Sequence, residues 1–177
     1  MCSSDLREAV VGWRTMRIHV AHRFSVTPRA YWEATRNPAL EARMTEAGEV
    51  DFHSLEHRVE GSVTHDRIRV VPRKELPAVA QKALGTPRFT YVQIVDSDDD
   101  AMTTCWKVVT DVLSEKVTCA GTSRVVPAPE GCERVIEGEI KVAIPLVGGA
   151  IEKVVLEQLA KSYDRAADVI RDWFARS

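Results

Sequence analysis

The sequence predicts one α+β domain in which a curved antiparallel sheet of about six or seven strands wraps a long C-terminal helix. Three observations carry that reading. Apolar and polar residues alternate through several separate runs, the period of a half-buried strand. Short turns rich in Gly, Pro and Asp separate those runs. From Ala150 to Phe174 the period becomes helical, with Ile151, Val155, Leu159, Tyr163, Ala166, Ile170, Trp173 and Phe174 on one stripe.

Taken in order, the first strand begins near Met16, where Met16, Ile18 and Val20, then Phe24 and Val26, alternate. Residues 1–15 show no period and are expected to be an N-terminal extension, either disordered or upstream of a native start at Met16. Residues 16–177 form the single domain. Thr27-Pro28 is a helix start, Thr as N-cap and Pro at the first position, where its missing N–H costs nothing. That helix runs to about Asn37. A second, Ala39 to Ala47, is expected to end on Gly48 as its cap. The runs Val50–Val59 and Val63–Val71 form a hairpin about Gly61-Ser62, and Leu76-Pro77 to Leu84-Gly85 suits a short helix. Strands resume as Phe89–Val95 and Met102–Val112 around a turn at Asp96–Asp100, then as Val117–Val126 and a strand carrying Ile136, Ile140, Val142 and Ile144 on one face. Glu137, Glu139 and Lys141 take its other face, which argues against a large apolar docking patch there. The closing helix, about 37 Å long at 1.5 Å per residue, can cross the whole sheet.

Composition sets bounds on function. With 177 residues, 45% hydrophobic and 28% charged, the chain can bury one substantial core. A net charge of -2 offers no overall attraction to nucleic acid. No run reaches the ~20 apolar residues of a membrane span, so no integral membrane segment is expected, while transient membrane contact stays open. No secretory signal is evident, and a cytoplasmic location is expected. Cys2, Cys105, Cys119 and Cys132 lack zinc-site spacing and read as buried free thiols.

Three segments carry a family resemblance: Leu76-Pro77 before a short helix, Cys119 to Arg124 in a late strand, and Val142 to Glu152, where Pro145 ends a strand and Gly148-Gly149 allow a tight reversal into the helix. With the order of elements from Met16 to Phe174, they make the chain resemble the START-like (SRPBCC, helix-grip) superfamily, and within it a bacterial family of unknown function. The resemblance implies a hydrophobic cavity between sheet and C-terminal helix. It brings no catalytic motif.

Several local patterns compete with that reading. His53-Ser54-Leu55-Glu56-His57 matches the letters of an inverted zinc-peptidase motif, yet that chemistry needs a helix and this segment reads as strand, so no metal is expected. On a regular strand His53, Leu55, His57 and Val59 would share one face, and either His could line the cavity. Asp96, Asp98, Asp99 and Asp100 lack the Gly and terminal Glu of a calcium loop and read as a solvated turn. Neither phosphate-binding glycine motif is present, and no cofactor is expected. Arg67, Arg69, Arg73, Lys74 and Arg88 form a basic stretch that could meet an anionic head group.

The sequence therefore favours a binder or carrier of a small hydrophobic molecule, lipid or polyketide-like, with no catalytic residues. Its cavity candidates are Phe89, Tyr91, Met102, Trp106, His53, His57, Leu159 and Tyr163. The alternative is a cyclase or dehydratase using, in falling order, His57, His53, Tyr91 and Lys107. Oligomeric state is left open.

Overall fold

A computed structural model describes residues 15–76, 78, 81, 82, 85–145 and 148–176. The first strand, β1 (Met16–Phe24), is followed by α1 (Pro28–Ala34) and α2 (Pro38–Gly48). Six more strands follow: β2 (Val50–Glu60), β3 (Val63–Pro72), β4 (Tyr91–Asp98), β5 (Thr103–Thr110), β6 (Val117–Ala128) and β7 (Gly131–Val142). The chain closes with α3 (Gly148–Ala175). Residues 1–14 of the proposed extension at 1–15 and most of the proposed helix at 76–85 lie outside the described residues; within the latter, Ala78, Gln81 and Lys82 are helical.

The strands form one antiparallel sheet in the order β1-β7-β6-β5-β4-β3-β2, so the chain lays down hairpins from β2 to β7 and β1 joins β7 at the far edge. This is the α+β architecture the alternation predicts. The two short helices begin where their caps dictate: Thr27 Oγ1 accepts from Ala30 N and Asn37 Oδ1 from Ala39 N, each before a Pro. At the other end of α2 the left-handed residue is Glu49 (φ 54°), one place beyond the expected Gly48.

Two apolar clusters hold the layers together. Around α1 and α2, Phe24, Tyr31, Trp32, Leu40, Val125 and Cys132 pack with Ala167 and Ile170 of α3. Nearer the middle of the sheet, Ile18, Trp106, Cys119, Ile136, Ile140 and Val142 pack with Ile151, Val155, Leu156, Leu159 and Tyr163. The helix stripe is thus divided between two cores, and Ala167 is buried where Ala166 is only partly so.

One end of α3 departs from the amphipathic pattern. Glu152, which falls on the charged side of the helix, is buried, and its Oε1 accepts from Val142 N at 2.7 Å. That N–H stands at the last residue of β7, and the carboxylate satisfies it. Gly148 lies against the same strand end, where a Cβ would overlap the Val142 carbonyl. The tight strand-to-helix reversal thus requires a residue without a side chain.

Candidate functional site

Strand register fixes which side chains face α3. One row crosses all seven strands on that face: His57 opposite Asp66, then Val95, Trp106, Gly121, Gly138 and Ile18. The next row holds Ser54, Ile68, Gln93, Val108, Cys119, Ile140 and Met16. Beyond it stand Phe52, Val70, Tyr91 and Thr110.

Trp106 lies at the centre of this surface. Its ring edge passes over Gly121 and Gly138, where a Cβ would come within 2.6 and 3.0 Å of it respectively. Two adjacent glycines in facing strands make the room that the indole occupies. The ring is 6% exposed and its Nε1 has no hydrogen-bond partner.

Tyr163 from α3 packs against the cluster that holds Trp106. Burial pushes Tyr163 up to about 12, with Cys119 and Tyr91 adding to the rise and Arg134 opposing it. Burial, with a smaller contribution from Cys119, also takes Tyr91 to about 12, and burial takes Cys119 itself to about 11. Tyr91 and Cys119 stand on neighbouring rows of this helix-facing patch, and Tyr163 packs on the cluster that includes Cys119. Both phenols and the thiol stay protonated at neutral pH, so the patch offers donors and neither a base nor a thiolate nucleophile.

Beside this patch runs a polar network. Arg134, 9% exposed, donates from Nη2 to His22 Nδ1 at 3.1 Å and to the Tyr163 carbonyl at 3.3 Å. His22 Nε2 then donates to Asp164 Oδ1 at 2.8 Å. Tyr31 also hydrogen-bonds Arg134; burial raises its pKa and the guanidinium opposes the rise. The network ties β1, β7, α1 and α3 together, but Arg134 Nε remains without a partner.

Of the residues proposed from the sequence, Trp106, Leu159 and Tyr163 belong to one apolar cluster, and Tyr91 stands on the helix face of β4. Met102 sits in the β4–β5 turn (φ 49°) and packs on the cluster around α1 and α2, while Phe89 precedes β4. The two histidines part company. Register slips between Ser54 and Glu56, and this bulge at Leu55 breaks the alternation, leaving His53 on the outer face and His57 on the helix face. A shared histidine face, and with it the zinc-motif geometry, is excluded. His57 stands on the edge strand with its side chain 62% exposed, bound through Nδ1 to Asp66 at 2.7 Å. Lys107 is on the outer face and exposed.

Other expectations change as well. Four residues of the basic stretch are paired: Arg67 with Glu56, Arg69 with Asp111, Arg73 with Glu46 and Asp51, and Lys74 with Glu49. The charge available to a head group is correspondingly small. Asp98 caps the β4–β5 turn by accepting from Asp100 N and Ala101 N, while Asp99 binds Trp32 and Arg36. Cys119 and Cys132 are buried free thiols, whereas Cys105 is disulfide-bonded. Among the described residues no group of three His, Cys, Asp or Glu could hold a metal ion, and no helix is long and apolar enough to cross a membrane. A surface groove of about 330 Å³ between α2 and β2 is lined by Glu41, Glu46 and Arg73 as well as Phe52, a charged setting for an apolar molecule.

Sequence reasoning missed Arg134 and Cys119. Both lie on the helix face of their strands, and extending the alternation of Ile136 and Ile140 back to Arg134 would have found the first.

Residues 19–174 match the family model described as a protein of unknown function (DUF2505). The chain belongs to this family. No curated protein matches it. The DUF2505 chain is similar in structure to TTHA0849 from Thermus thermophilus, with 15% identity and a TM-score of 0.62 over 89% of this chain and 95% of that one. It is similar to the Zhui aromatase/cyclase from Streptomyces sp. R1128, with 10% identity and a TM-score of 0.64 over 92% and 95%. Ara h 8.0201 gives 8% identity and a TM-score of 0.61 over 89% and 98%. At these identities the likeness shows the fold, which is the START-like helix-grip fold.

Proposed function

We propose that residues 16–177 form one domain that binds a small hydrophobic molecule, lipid or polyketide-like, between the sheet and α3. One observation carries the reading. The main contacts of α3 are with α2, β1 and β7, while Ile68, Tyr91, Gln93, Val95 and Val108, on the helix face of β3, β4 and β5, are only partly buried. Apolar surface left half-covered beneath a helix is what a ligand would cover. Tyr91, Val95, Trp106, Val108, Leu159 and Tyr163 would line that space. Native mass spectrometry of the purified chain tests this: a stoichiometric apolar adduct is expected. A chain that carries nothing and takes up no added lipid contradicts it.

The cyclase or dehydratase alternative is less well supported. Of its candidates, His53 and Lys107 face outward and Tyr91 holds its proton. His57 remains, three strands from Trp106, or about 14 Å at the usual strand spacing. A base so far from the central donors cannot share a reacting atom with them. Ligand turnover that is lost in His57→Ala would revive the enzymatic reading.

A further inference from the structure

Resting on the ligand-binding reading above, we infer that the molecule held here is neutral and bears a carbonyl-type oxygen, which the Trp106 indole N–H and the Tyr163 hydroxyl would hold. Trp106 Nε1 is buried without an acceptor, in a structure whose other buried side-chain nitrogens and oxygens are bonded except Arg134 Nε, among the described residues. A buried N–H with no partner is costly, and native proteins leave few of them. Tyr163 packs on the same cluster as Trp106, and no hydrogen bond reaches its hydroxyl among the described residues. Several polar residues elsewhere on this face are bonded within the chain: Ser97 with Thr104, Thr110 with the Val112 carbonyl, His57 with Asp66 and His22 with Asp164.

An acceptor oxygen on an apolar body answers that arrangement. Hydrocarbon would cover the apolar surface but leave the donors unpaired. A carboxylate would bring a charge into surroundings that already disfavour one, since burial holds both phenols and Cys119 in their neutral forms. Arg134 is the counterweight, its guanidinium 5.8 Å from the Tyr163 ring centroid. Its Nη2 is already bound to His22 and the Tyr163 carbonyl, which leaves Nε as its unengaged nitrogen.

Three probes of one size separate these cases: 2-acetylnaphthalene, 2-ethylnaphthalene and 2-naphthoate, each titrated calorimetrically into the full chain, with the Trp106 indole resonance followed in ¹⁵N-labelled protein and assigned by its loss in Trp106→Phe. The ketone is expected to bind about 3–10-fold tighter than the hydrocarbon, the net value of one or two neutral hydrogen bonds. It should move the indole N–H resonance downfield, and naphthoate should bind weakest. In Trp106→Phe, or in Tyr163→Phe should the first variant not fold, the ketone's advantage should fall below about twofold. Equal binding of ketone and hydrocarbon, an unmoved indole resonance, or tightest binding of naphthoate overturns the inference while leaving ligand binding intact. If none of the three binds, the ligand-binding reading fails and this inference with it.

Discussion

Trp106 and the two glycines under it show how single residues shape this face. Against Gly138 a methyl group would stand 2.6 Å from the Ala120 carbonyl oxygen and 3.0 Å from the indole. Backbone on one side and a large ring on the other leave no direction for relief, so Gly138→Ala should cost about 1–3 kcal/mol in urea unfolding, the range for overpacking. A variant as stable as the parent would mean that the ring does not lie there. The phenols give a second residue-scale test through pH. Tyr91 and Tyr163 have folded pKa values near 12 against an ordinary 10, so above pH 10 the unfolded chain releases these protons first. Their contribution is complete below pH 10 and is lost as pH rises through about 12. The urea midpoint should therefore fall over that window, and Tyr163→Phe should flatten the fall. A midpoint with the same pH slope in both proteins would show that the phenol is solvated.

At the scale of elements, two places set this structure apart from its periodic pattern. The first is the junction of β7 with α3, where Glu152 turns inward to cap Val142. Glu152→Ala should cost about 1–3 kcal/mol by leaving that N–H without its carboxylate, and Glu152→Gln, which keeps an acceptor oxygen, should restore most of it. Equal loss in both would assign the effect to packing. Helical periodicity predicts the opposite burial for Glu152, because the pattern sees the helix and not the strand end beneath it. The second is the Leu55 bulge. Alternation located β2 and its hairpin turn correctly, yet period-2 reasoning carried through Leu55 put His53 and His57 together. One extra residue reverses every face beyond it. Nothing in the local composition marks the slip, since it is set by pairing with β3. The edge strand that carries it also keeps Phe52, Leu55 and Val59 at 42%, 52% and 60% exposure.

For the molecule as a whole, the order of elements was readable because each one carries a local signal: Thr27-Pro28 and Asn37-Pro38 as helix starts, alternation in β7, and the stripe of α3. The site was only partly readable. Tyr91, Trp106, Leu159 and Tyr163 follow from residue type and period, but the unpaired indole N–H and the Arg134–His22–Asp164 chain exist only once strands about 100 residues apart are paired. Fold likeness adds no ligand. What it leaves to be decided is whether the surface between β3–β5 and α3 is filled by side chains or by a guest. Val108, partly buried in the middle of that surface, offers the handle. Titration with the neutral apolar dye N-phenyl-1-naphthylamine is the most direct measurement, comparing the parent chain with Val108→Trp. Saturable one-to-one fluorescence enhancement is predicted for the parent, weakened at least about tenfold where the added ring occupies the space. Dye that fails to saturate, or binds both proteins alike, would place the guest elsewhere or nowhere.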